Sequence, residues 1–198
     1  IHLTLDNLKF NKEILLKIVK IGLPASLGQS GAALGFIVLN SFVLSYGEYT
    51  LAAFGIGNRI NSLVFMPAIG IGSALATIIG QNLGADNAPR AQRAFKTSLI
   101  ISVSIMLIGG LILINFSKGV VEIFSNEPEV ISQGTDYLKL IAASLSLLGV
   151  FHVLIGTFQG SGHTIYAMII SLGRLWLLRI PMILLFKNYT NWGSSGVW

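Results

Sequence analysis

The chain has 198 residues, 53% of them hydrophobic, and only 13 basic and 8 acidic side chains, for a net charge of +5. A water-soluble domain of this length carries about 50 charged residues, roughly a quarter of its composition. An ordinary soluble enzyme, a disordered chain and a nucleic-acid binder are therefore excluded, and the mean hydropathy of +0.75 agrees. The absence of cysteine removes any disulfide framework or thiolate metal site.

Asp, Glu, Lys and Arg are missing from residues 21–47, 60–85, 97–117 and 140–173. Each run supplies most of a spanning helix, which needs about 20 apolar residues. The last is too long for one helix and is interrupted by the polar, glycine-containing stretch Gln159-Gly160-Ser161-Gly162-His163-Thr164. Five spans follow: about 20–45, 51–81, 97–116, 133–158 and 165–186. Backbone polar groups in lipid must be paired within their own segment, so the spans are helices, and a barrel would show shorter alternating segments. The expected fold class is all-α, a polytopic membrane helix bundle.

Ahead of the first span, Lys9, Lys12, Lys17 and Lys20 alternate with Leu8, Ile14, Leu15, Ile18 and Val19 over residues 7–20. This pattern predicts a short basic helix at the membrane surface. The loop after the second span adds Arg90, Arg93 and Lys96, whereas the opposite loops hold Lys118 and Lys187 beside Glu48, Glu122, Glu127 and Glu129. This asymmetry places residue 1 and the 82–96 loop in the cytoplasm. It also accounts for the net positive charge by topology, with no nucleic-acid partner.

The second span is dense in small residues, among them Gly55, Gly57, Gly70, Gly72 and Gly80, which let membrane helices approach closely. Pro67 removes a backbone donor and is expected to bend the helix. Polar positions within the spans are mostly neutral. Gln29, Ala33, Phe36 and Asn40 share one helical face, as do Asn58, Asn61 and Phe65, and as do His152 and Gln159. These residues either line a pathway or hold the bundle by interhelical hydrogen bonds. His152 is a possible proton carrier, although packing in an apolar helix favours a neutral imidazole. Arg174 lies near mid-bilayer and must face protein or water, while Arg59 and Arg179 sit nearer the outer ends and can snorkel. No HExxH motif, P-loop or metal-ligand cluster is present.

Several strings resemble the multidrug and toxic compound extrusion (MATE) family. Ile56-x-x-Arg59, Met66-Pro67-x-x-Gly70-Ile71-Gly72 and Gly80-Gln81-Asn82-Leu83-Gly84-Ala85, with Arg90-Ala91 after them, are the most specific. Gly22-Leu23-Pro24-Ala25-Ser26, Phe158-Gln159-Gly160-x-Gly162-x-Thr164, Arg179-Ile180-Pro181 and Gly196-Val197-Trp198 follow in the family's order. The resemblance implies twelve helices in two six-helix lobes, with this chain as the second lobe. Residues 1–19 would be the cytoplasmic interlobe segment and residues 187–198 an outer loop leading into a truncated sixth span. The start at Ile1, with neither Met nor signal peptide, fits a chain that begins inside a larger protein.

By the same resemblance, the function is H⁺- or Na⁺-coupled export of organic cations and other amphipathic compounds by alternating access. The missing lobe, membrane lipids and such substrates would be the partners, in the inner (plasma) membrane, with no enzyme activity and no cofactor. Pro24, Arg59, Pro67, Gly72, Arg174, Arg179 and Pro181 take structural or gating roles. The branch resembling NorM carries carboxylates where this chain has Ala32 and, nearby, Leu148. The lobe is therefore more similar to the DinF-like branch, whose coupling carboxylate is implied in the other lobe. The alternatives are a flippase for lipid-linked oligosaccharides, which would show a cationic cavity, and a non-transporting membrane scaffold.

Overall fold

The structure, a computed structural model, describes residues 11–189. It contains α1 (Lys12–Leu44), α2 (Glu48–Gly84), α3 (Ala88–Glu122), α4 (Pro128–Gly160) and α5 (Thr164–Leu172). A π-helical segment (Gly173–Arg179) joins α5 to α6 (Ile180–Tyr189), so that one continuous span covers Thr164–Phe186. Among the described residues there is no strand, and five helices are long and apolar enough to cross a membrane. The protein is an integral membrane helix bundle.

The helices overrun the apolar runs at nearly every end. The four long ones have 33–37 residues and so measure roughly 50 Å, against about 30 Å of hydrocarbon. Two of them, α1 and α3, start at side-chain caps. The Asn11 side chain accepts from the Glu13 and Ile14 amides at 3.0 and 3.3 Å, and Asn87 Oδ1 accepts from the Arg90 amide at 3.2 Å. Gly47, Asp86 and Gly162 take positive φ at three of the turns. Nothing between Lys12 and Pro24 breaks a helix, so residues 12–20 form the first turns of α1 and not the separate surface helix expected from the lysines. Residues 7–10 of that expected helix lie outside the described residues, as do residues 190–198, where the sequence suggests the approach to a further span.

α2 and α4 run parallel and pack most extensively. A Cβ on Gly72 would lie 2.6 Å from the His152 carbonyl oxygen, one on Gly156 would strike the Gly72 carbonyl, and one on Gly160 that of Ala76. Gly57 makes room for the Tyr137 ring in the same interface. α3 packs antiparallel on α4, where a Cβ on Gly110 would lie 2.8 Å from the Ala142 carbonyl oxygen and the Ser102 hydroxyl donates to the Gly149 carbonyl at 3.2 Å. α1 pairs with α5 along Gly28, Gly31 and Gly35, which face Met168, Leu172 and Leu175. The result is an α2–α3–α4 block and an α1–α5 pair, joined by few contacts. Leu107, Ile108, Leu111 and Ile112 of α3 are exposed on the outside, the side a bilayer would cover.

α1 and α2 remain helical through Pro24 and Pro67. Pro181 lies just past the π segment. It cannot donate to the Leu177 carbonyl and its ring crowds that group, and the widened turn ahead of it is where such a mismatch is absorbed.

Gly156→Ala should force α2 and α4 apart and destabilise the protein by about 1–3 kcal/mol, the usual range for overpacking. Gly55→Ala, whose added methyl meets nothing within 4 Å, should leave stability unchanged or slightly raised. Thermal unfolding in detergent, with the two variants side by side, tests both.

Candidate functional site

Where the α1–α5 pair meets the α2–α3–α4 block, a cavity of about 300 Å³ opens between α1, α2, α4 and α5. Gln29, Ala32 and Phe36 of α1 line it, with Phe65, Gly72 and Ser73 of α2, Phe151, His152 and Gln159 of α4, and Ser171 and Arg174 of the last span. Helical periodicity explains the convergence. Gln29 and Phe36 are seven residues apart, as are His152 and Gln159, which returns each pair to nearly the same face. The tight Gly72–His152 approach then aims the histidine past α2 into the gap.

The rings form a chain. His152 meets Phe65 edge-on at 4.6 Å and 84°, and Phe151 at 5.4 Å and 74°. The Arg174 guanidinium carbon sits 4.4 Å from the Phe151 ring centroid, a cation–π contact. Sequence reasoning missed Phe151. The signal available was an arginine in mid-span that needs a partner, near an aromatic residue adjoining the span's histidine. It also missed Trp176, whose Nε1 donates to the Gly31 carbonyl at 2.9 Å and ties the π segment to α1.

Seven of the sequence-derived candidates meet at the cavity: Gln29, Phe36, Phe65, Gly72, His152, Gln159 and Arg174. The others lie elsewhere. Asn40 shares the Gln29 face but lies eleven residues on, about 16 Å along the axis, and it is exposed. Asn58 accepts a hydrogen bond from the buried Tyr137 hydroxyl at 2.9 Å, so it joins α2 to α4. Asn61 has a buried Oδ1 without a hydrogen-bond partner among the described residues. Arg59 is exposed, while Arg179 is half-buried. Pro24, Pro67 and Pro181 lie outside the lining.

Among the described residues no Asp or Glu lines the cavity, and none form a group of three His, Cys, Asp or Glu able to bind a metal. What the site offers is one cation, neutral hydrogen-bonding groups and rings in edge-to-face contact. Such a lining suits reversible binding of an amphipathic molecule.

The class that the fold and site define is a glycine-packed membrane helix bundle with a ligand-sized, largely neutral cavity at an internal seam. Comparison with known proteins gives the family: the MatE family model matches residues 24–185, and the chain belongs to this family. It is 29% identical over 194 residues to the "Probable multidrug resistance protein YoeA" of Bacillus subtilis, covering 96% of this chain and 41% of that protein. It is 31% identical over 180 residues to the "Probable multidrug resistance protein YpnP" of the same organism, covering 91% and 40%. Among solved structures, an outward-facing multidrug resistance MATE family transporter of the MOP superfamily superposes with a TM-score of 0.93 at 25% identity, over 100% of this chain and 45% of that one. The chain thus spans about two fifths of the length of the curated relatives it matches.

Tyr137→Phe should remove the only hydrogen bond that the structure gives the Asn58 side chain among the described residues and cost about 1–2 kcal/mol. Because Asn58 lies outside the cavity lining, ligand affinity should be unchanged. Paired measurements of thermal unfolding and ligand binding check the combination.

Proposed function

We propose that this chain forms the second lobe of a secondary active exporter, which moves amphipathic compounds out of the cell in exchange for H⁺ or Na⁺. The observation that carries this reading is the cavity at the seam between the α1–α5 pair and the α2–α3–α4 block, lined by Gln29, Phe36, His152, Gln159 and Arg174. Gln29 and Gln159 are exposed in this chain by itself, as expected of a half-site whose other wall is a first lobe. The names of the matched relatives, as multidrug resistance proteins, support the same reading. In alternating access the two lobes rock about such a midplane site, and substrate and coupling ion use it in turn.

The charge asymmetry of the loops supports a plasma-membrane orientation with the residue 1 side cytoplasmic. Arg59, eleven residues into α2, is exposed and can snorkel toward the headgroups, and Arg179 is half-buried. Pro24, Pro67 and Pro181 provide sites where helices can bend during rocking. No carboxylate among the described residues lines the cavity, which supports a coupling acid in the other lobe.

The test is reconstitution of the complete transporter in liposomes under an imposed proton or sodium gradient, with accumulation of an aromatic amphipath as readout. Gradient-dependent accumulation is expected for the complete protein and none for this chain alone; ion-driven uptake by this chain alone would overturn the half-site reading. His152→Gln should retain coupled transport with at most a modest loss, whereas complete loss of coupling with binding intact would move the proton site to His152. A flippase is a second reading, favoured by the cation in the cavity. It would instead equilibrate a fluorescent isoprenoid-pyrophosphate lipid across the same membranes without a gradient.

A further inference from the structure

We propose that the seam cavity binds an aromatic anion, with Arg174 on the anionic group and Phe151 and His152 against the ring. This names the substrate class of the exporter proposed above and rests on that reading. Family resemblance alone leads one to expect organic cations, and the lining argues the other way.

Arg174 is ten residues beyond Thr164, the start of its span, so it lies about 15 Å along the helix, near the middle of the bilayer. A cation there is costly unless it is matched. Among the described residues Arg174 has no ion pair: the sole salt bridge joins Lys118 to Glu122 at 3.7 Å, on another helix. Its guanidinium carbon lies 4.4 Å from the Phe151 ring centroid. Its N–H groups make no hydrogen bond among the described residues, and their fork matches a carboxylate or a related oxyanion in two-point contact.

The rest of the lining completes the ligand's description. Gln29, Gln159 and Ser171 make no side-chain hydrogen bonds within the described residues, and all three face the cavity. They can donate to or accept from an anionic group and its substituents. The Phe65–His152–Phe151 run of rings offers an apolar, π-rich wall for an aromatic body. A volume of about 300 Å³ is at the small end of ligand pockets and accommodates one or two fused rings. An organic cation in this place would sit beside a guanidinium with no carboxylate from this lobe to offset the repulsion.

The experiment uses the full-length transporter in nanodiscs and three probes of nearly equal size: 2-naphthoate, 2-naphthamide and 2-naphthylmethylammonium. Equilibrium binding of the radiolabelled compounds should favour naphthoate over the amide by about tenfold or more, as a two-point charged contact provides. Arg174→Gln should abolish that preference, and an unfolding temperature in detergent close to that of the unaltered protein shows that the variant is folded. Arg174→Lys should keep part of the preference, because the charge remains and the planar fork is lost. Preference for the ammonium probe in the unaltered protein, or a naphthoate preference that survives Arg174→Gln, would overturn the proposal. The exporter reading is judged separately, by gradient-driven accumulation in liposomes. Arg174-dependent naphthoate binding without transport would defeat that reading and keep this one; coupled transport with no anion preference would do the reverse.

Discussion

Lipid offers apolar side chains the same surroundings as the interior of a bundle, so burial of hydrocarbon cannot hold α2 against α4. What holds them is close approach of the backbones. Gly57 meets Tyr137, Gly72 meets His152 and Gly80 meets Gly160, each pair eighty residues apart in sequence. That constant offset means two parallel helices that stay in contact over most of their length. Dispersion between closely fitted backbones, with Asn58 and Tyr137 adding a hydrogen bond, supplies the attraction that water supplies in a soluble protein. α3 fastens to the same α4 through Gly110 and Ser102, so the α2–α4 contact is the spine of the larger block.

The chemistry of the seam depends on that spine. Because His152 has its carbonyl against Gly72, its ring is directed to the edge of the interface, where it meets Phe65. The next residue back along α4, Phe151, then faces the last span and receives Arg174. A bulkier residue at position 72 would displace the histidine, the arginine over the Phe151 ring and the shape of the cavity together. Trp176 anchors the opposite wall by reaching a main-chain carbonyl of α1 at Gly31. The charged centre of the site is therefore held between two glycine-dependent contacts, one on each side.

Much of the fold is legible in the sequence, since uncharged runs of more than twenty residues admit few structures in a membrane. The break between the fourth and fifth spans could be read from Gly160 and Gly162, and the latter does adopt positive φ. Helix ends were less legible. Hydropathy reports where lipid begins, whereas a helix continues until a residue such as Asn87 or Asp86 stops it, and the lysines before α1 do not. Faces were readable from periodicity for Gln29, Phe36, His152 and Gln159. Depth was not, which is why Asn40 falls on the right face of α1 but away from the cavity. The π segment could not be foreseen from Pro181, because a proline fixes the need for a local distortion without fixing its form.

The border between the two groups of helices has a mechanical consequence. The α2–α3–α4 block and the α1–α5 pair are each packed glycine to backbone or glycine to side chain with no slack, while few contacts cross between them. Deformation of the chain therefore concentrates at the border, and the volume of the cavity and the angle between the two bodies become a single variable. A molecule filling the space fixes the angle. By reciprocity, whatever changes the angle, including the thickness of the surrounding bilayer, changes how tightly that molecule is held.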